Sequence, residues 1–174
     1  DINHRWSVAT NKKFSTKTLE EILDEGLYWK SDSGKVKLKF KLPEVSAVYY
    51  EDREVPVDPY TFGVWLGDGS KGKGIICGED NEVFDNIPYE KSKQSGSNIH
   101  YNCIGLITDL KKTDVWNKGS HTKYIPEEYL INSEEVRLEV LRGLMDTDGC
   151  CAKDGKLIFT TSSEDLRDSF IKLV

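Results

Sequence analysis

The sequence has no Cys-x-x-Cys pair and no evenly spread cysteine framework. Its four cysteines are Cys77, Cys103 and the adjacent Cys150 and Cys151. Zinc-ligand spacing is therefore absent and a disulfide scaffold is not expected, which fits a reducing, cytoplasmic setting. No apolar run approaches the roughly 20 residues of a membrane helix, and no leading segment has the layout of a signal peptide. A membrane partner is not expected. Methionine is nearly missing: Met145 stands alone and the chain begins at Asp1, so the sequence reads as a fragment or a processed product. Basic residues are outnumbered, 24 against 30 acids, for a net charge of −6. That balance speaks mildly against nucleic acid, because phosphate contacts need Lys and Arg. Binding, however, follows the field over one face rather than the chain total.

With 174 residues, the chain can build one good core, or one core and a piece of another. Residues 35 to 42 read KVKLKFKL. Val36, Leu38, Phe40 and Leu42 alternate with four lysines, which predicts a half-buried strand with a basic face. A short helix is expected before it, from Thr16 to Leu23, with Thr16 or Thr18 as its cap. Pro43 to Asp58 reads as a connecting strand and loop. Asp58-Pro59 then starts a helix, Asp as the cap and Pro in the first turn, where its missing N–H costs nothing. Ile75 to Cys77 and Ile99 to Leu106 are candidate strands, the latter leading into a short helix; residues 91 to 98 and 117 to 123 read as loops. Ser133 caps a helix with the apolar stripe Val136, Val140, Leu141, Leu144 and Met145. Lys153-Asp154-Gly155-Lys156 carries a hairpin turn signal, with Leu157 to Thr161 as its second arm. Ser162 or Ser163 caps a last helix bearing Leu166, Phe170 and Leu173.

One pattern occurs twice. TFGVWLGDG (61 to 69) aligns with LRGLMDTDG (141 to 149), each a helix ending in Asp-Gly. Both place small residues four apart: Gly63 and Gly67 in one, Gly143 and Thr147 in the other. Such a spacing puts them on one helix face, where two backbones can approach closely. Packed along those faces, the helices would bring Asp68 and Asp148 together. Two adjacent carboxylates repel unless a cation lies between them, and a hard divalent ion such as Mg²⁺ suits oxygen ligands. A lone Asp-Gly after a helix is ordinarily just a turn, and DTDG lacks the rest of a calcium loop. Two aligned copies with matched small residues are far more specific.

These segments resemble the LAGLIDADG, or dodecapeptide (DOD-type), homing endonucleases found in inteins. Between them KYIPEEYL (123 to 130) is similar to the family's K-x-I-P segment. The resemblance covers roughly residues 55 to 174. It implies an α+β fold of two pseudo-symmetric αββαββα-like halves, the second cut short, forming a monomeric pseudo-dimer when complete. It also implies Mg²⁺ or Mn²⁺ held by Asp68 and Asp148, and Lys123 as a catalytic lysine beside the attacking water. For Lys123 the alternative is a solvated surface lysine. The substrate would be a double-stranded DNA target site, hydrolysed at its phosphodiester bonds. Lys71, Lys73, Lys153 and Lys156 would contact it, mainly at phosphate, though lysines beside turns are often merely solvated.

The front, DINHRWSVATNKKFSTKTLEEIL (1 to 23), is similar to the second conserved block of the Hint splicing domain. His4 would stand at its splicing-associated histidine, although Asp1 occupies the place of the usual threonine. The division expected is a partial all-β Hint domain with its bridge (1–54), a first LAGLIDADG half (55–132) and an incomplete second half (133–174). In the parent protein the host extein would be a further partner. Two alternatives remain: a protein-splicing element whose nuclease is inactive, and a non-catalytic, maturase-like nucleic-acid binder.

Overall fold

The computed structural model describes residues 1–10, 13–43 and 46–174. Residues 11, 12, 44 and 45, within the Hint-like front and the expected bridge, lie outside the described residues. The chain divides into two compact units, Asp1–Ala47 and Val48–Val174.

The first unit is built from two ribbons and one helix. Strand β1 (Arg5–Thr10) pairs antiparallel with β2 (Lys13–Thr18), Arg5 opposite Thr18. Helix α1 (Leu19–Asp24) continues without a break. It starts later than the pattern suggested because Thr16 to Thr18 are taken up by β2. Thr18 is the cap, and with Glu21 it forms a complete capping box. Strands β3 (Tyr28–Lys30) and β4 (Val36–Leu38) form the second ribbon. The expected half-burial of that alternating segment is not observed: Val36, Leu38 and Leu42 are each about 60% exposed. A two-stranded ribbon buries an apolar face only if another layer covers it, and among the described residues of this unit the buried apolar side chains are Val8 and Ile22. With α1 present, the unit is mixed rather than all-β.

The second unit holds the core. Helix α2 (Pro59–Asp68) is capped by Asp58, whose carboxylate accepts from the Thr61 amide and hydroxyl. Strand β5 (Ile75–Cys77) and helix α3 (Asn81–Asp85) come next. Strand β6 (Lys91–Lys93) forms within the stretch read as loop, because β7 (His100–Cys103) lies between β5 and β6 and pairs with both. Helices α4 (Leu106–Leu110) and α5 (Glu127–Leu130) lead to α6 (Glu134–Asp148), capped by Ser133. The ribbon β8 (Gly149–Cys151) and β9 (Leu157–Phe159) and helix α7 (Glu164–Leu173), capped by Ser163, complete the chain. In the ribbon's turn Gly155 has φ +85°, the left-handed conformation that Asp-Gly signalled.

The two pattern copies differ downstream of the helix. The first is α2-β5-α3-β6-β7-α4, with three strands; the second is α6-β8-β9-α7, with two. The first lacks the four strands expected of a whole half, and the second, expected to be incomplete, has two. Residues 48 to 54 belong with the second unit, seven residues earlier than the boundary expected. Asn132 holds them, accepting from the Arg53 amide and donating to its carbonyl, and Ser133 donates to Asp52. Among residues 46 to 58 no strand forms.

Candidate active site

Helices α2 and α6 pack directly on each other through the small residues singled out by the sequence. A methyl group added at Gly63 would run into the Val140 carbonyl and stand 3.0 Å from the Gly143 Cα. One added at Gly143 would meet the backbone of Tyr60 and Val64. Further along, Thr147 covers Gly67. Its hydroxyl turns back to donate to the Gly143 and Leu144 carbonyls, at 3.1 Å each. No side chain larger than hydrogen fits where the helices cross, and this close approach carries their ends side by side.

Those ends are Asp68 and Asp148. A methyl group at Gly67, next to Asp68, would lie 3.3 Å from Asp148 Oδ2. Both carboxyls are partly withdrawn from water, and burial pushes both pKa values up. The charge of Asp148 pushes Asp68 up further. The nearby Lys123 ammonium opposes the rise at both. The acids open onto two small cavities, each lined from both helices. Asp68 shares one with Cys77, Asp146 and Thr147; Asp148 shares the other with Leu66, Gly67, Ser120 and Thr160 to Ser162. A separate groove between Tyr50, Tyr124 and Asp168 contains neither acid.

Lys123 is neither a solvated surface lysine nor an exposed one at the mouth of a cavity. It is 2% exposed. Its ammonium donates to three carbonyls at the end of α2: Trp65 at 2.6 Å, Gly69 at 2.8 Å and Leu66 at 3.1 Å. It also lies 4.4 Å from the centre of the Trp65 ring. Burial lowers its pKa to about 8, against the opposing pull of Asp148 and Asp68. Its own backbone is pinned by Ser163, which caps α7 and donates to the Lys123 carbonyl at 2.7 Å.

The other residues are dispersed. Lys71 and Lys73 are exposed in the turn before β5, and Lys153 and Lys156 in the turn between β8 and β9; Lys156 pairs with Asp154 at 2.6 Å. His4 is exposed in the first unit, its ring edge-on to Trp6. Two contacts were not anticipated. Tyr60 donates to Asp146 at 2.8 Å across the helix pair, which places Asp146 in the Asp68 cavity; the Asp146-x-Asp148 spacing was its only signal. Lys91 caps α3 by donating to the Phe84 and Ile87 carbonyls, at 2.6 and 2.9 Å.

The donor set tests whether a metal fits. Two carboxylates, both raised in pKa by burial and Asp68 also by the charge of Asp148, favour a positive charge between them. Among the described residues there is no cluster of three or more His, Cys, Asp and Glu that could enclose an ion. The pair therefore suits a hard ion that keeps most of its water, as Mg²⁺ does, and not a fully enclosed one. Among the described residues no helix is long and apolar enough to cross a membrane.

No protein-family model matches the chain. Over 139 residues, 79% of its length, it is 32% identical to the replicative DNA helicase DnaB of Mycobacterium intracellulare. The matched stretch spans 22% of that protein.

Proposed function

We propose that this chain is the LAGLIDADG homing-endonuclease part of an intein, hydrolysing phosphodiester bonds of a double-stranded DNA site with Mg²⁺ or Mn²⁺. One observation carries the reading: two acids from separate copies of one motif converge where the small faces of their helices meet. The likeness to a DnaB helicase is compatible with an intein-containing region. The matched stretch is a fraction of that protein, as a segment inserted into a host would be.

In this reading Asp68 and Asp148 hold the metal. Bound there, it would supply Lewis-acid activation of water and stabilise charge on the scissile phosphate. The chain's own part is to keep two carboxylates at the ends of two helices held in close contact, where a Cβ at Gly63 or Gly143 would strike the facing backbone. Partial burial makes it costly to keep both carboxylates ionised and unpaired, a cost that a cation bound between them would offset. Lys71, Lys73, Lys153 and Lys156, exposed at the loops flanking β5 and joining β8 to β9, supply phosphate contacts. The net charge of −6 makes that binding steeply dependent on local lysines and on salt. His4 and the first unit belong to the splicing element, in the cytoplasm of the host cell, with the host protein as the covalent partner.

The test is incubation of the full gene product with duplex DNA carrying an uninterrupted DnaB coding sequence, with Mg²⁺ or with chelator. Expected is Mg²⁺-dependent double-strand cutting, abolished by Asp68→Asn or Asp148→Asn while DNA binding persists. Cutting that survives the chelator, or either substitution, would refute the reading.

A further inference from the structure

The resemblance casts Lys123 as a lysine that serves the attacking water, yet its surroundings describe a different task. An ammonium has three N–H bonds. Those of Lys123 go to the Trp65, Leu66 and Gly69 carbonyls, and the ammonium also lies over the Trp65 ring. The last carbonyls of a helix have no partner within it, and they gather negative partial charge. A buried cation with three donors therefore closes the end of α2, on the Trp65 and Leu66 carbonyls and on that of the cap residue Gly69, whose own amide donates to Trp65. Asp68 is the last residue of that helix, between two of the capped carbonyls in sequence. The opposite end of the lysine is tied to the second half, through the Ser163 bond to its carbonyl and the Ser169 bond to the Ile125 amide.

We propose that Lys123 is a positioning residue: it locks the last turn of α2 so that Asp68 is presented to Asp148 in one geometry, and its charge reaches the reaction only through those acids. No N–H of Lys123 remains to offer a water or a phosphate oxygen in this arrangement. The molecule uses the same device elsewhere. Lys91 caps α3 through the Phe84 and Ile87 carbonyls, at a helix end that carries neither Asp68 nor Asp148. Lys91 thus supplies a matched control, a lysine cap on a helix that ends in neither of the two acids.

The proposal rests on the shared-cation reading of Asp68 and Asp148, and the experiment separates the two. Lys123→Met and Lys91→Met are compared with the unaltered chain by thermal melting, by amide hydrogen exchange, and by calorimetric titration with Mn²⁺. Both variants should melt several degrees lower. Only Lys123→Met should speed exchange in the Trp65–Gly69 turn and weaken Mn²⁺ binding, by about tenfold or more, as loss of an orienting partner does. Lys91→Met should bind Mn²⁺ as the unaltered chain does. Unchanged Mn²⁺ affinity in Lys123→Met, or an equal loss in both variants, would overturn the proposal. If the unaltered chain binds no Mn²⁺, the shared-cation reading fails. The exchange data then decide the cap alone: fast exchange confined to Trp65–Gly69 supports it, and its absence overturns it. Where Lys123→Met does not fold, Lys123→Gln, which keeps two donors, takes its place.

Discussion

The helices that carry the two acids share a motif but are supported differently. In α2 seven of the ten residues are buried, from Tyr60 to Leu66. Its last turn is closed by a lysine 55 residues downstream of Asp68 (123 − 68 = 55). In α6 only Val140, Gly143 and Leu144 are buried, and the last turn carries its own hydroxyl, that of Thr147. Beyond α2 lies a three-stranded sheet; beyond α6 lies a ribbon with Leu157 73% exposed. One acid is thus fixed by long-range contacts and the other mainly by its neighbours in sequence. Equal chemistry at Asp68 and Asp148 depends on what the two ends share, which is the glycine contact between the helices.

That shared contact is where the comparison is most easily broken. Gly63→Val would drive a branched side chain into the Val140 carbonyl and the Gly143 backbone, both of them rigid. We expect a loss of about 3 kcal/mol or more, read from urea unfolding of the second unit; a shift under 1 kcal/mol (about that of a tolerated core swap) would contradict the interface described.

Next in size is the pH dependence. Both acids have folded-state pKa values raised by burial, Asp68 also by the charge of Asp148. The folded protein therefore holds protons that the unfolded chain releases. Their contribution to stability is present below the ordinary aspartate range and is lost as pH rises through the raised values. Asp148→Asn should flatten that decline and stabilise the chain above it, an effect visible as melting midpoint against pH without divalent ions. A variant whose profile tracks the unaltered one would show that the acids do not sense each other.

The smallest differences lie at the caps. Ser163→Ala removes both the α7 cap and the tie to the Lys123 carbonyl, and should cost about 1 kcal/mol in chemical unfolding. Thr147→Val deletes only a hydroxyl whose acceptors already receive helix bonds, and should cost no more than a few tenths. Should Thr147→Val prove the costlier of the two, the contrast between a long-range and a local helix end would be reversed.

How much the sequence disclosed depends on the range of the forces involved. Asp58, Ser133 and Ser163 act within a turn of their own position, and their roles were legible as caps. Matched small residues at 63, 67, 143 and 147 announced a helix contact because spacing four apart encodes a face. β6 was missed because the pairing of Lys91 to Lys93 with β7 compensates for a polar segment with little strand preference of its own. The exposure of Val36 and Leu38 was misjudged since alternation tells which face is apolar, not whether anything covers it. Lys123 was noticed for its place before Ile-Pro, but its three carbonyl partners lie 54 to 58 residues away, and no local pattern reveals a contact of that span.

The most direct measurement of the shared site is Mn²⁺ titration of the chain beside Asp68→Asn and Asp148→Asn, each monitored by calorimetry. If the carboxylates at the two helix ends hold ions jointly, either substitution alone should weaken or abolish binding, and to a similar degree. Binding that persists unaltered when one of the two carboxylates is neutralised would contradict it.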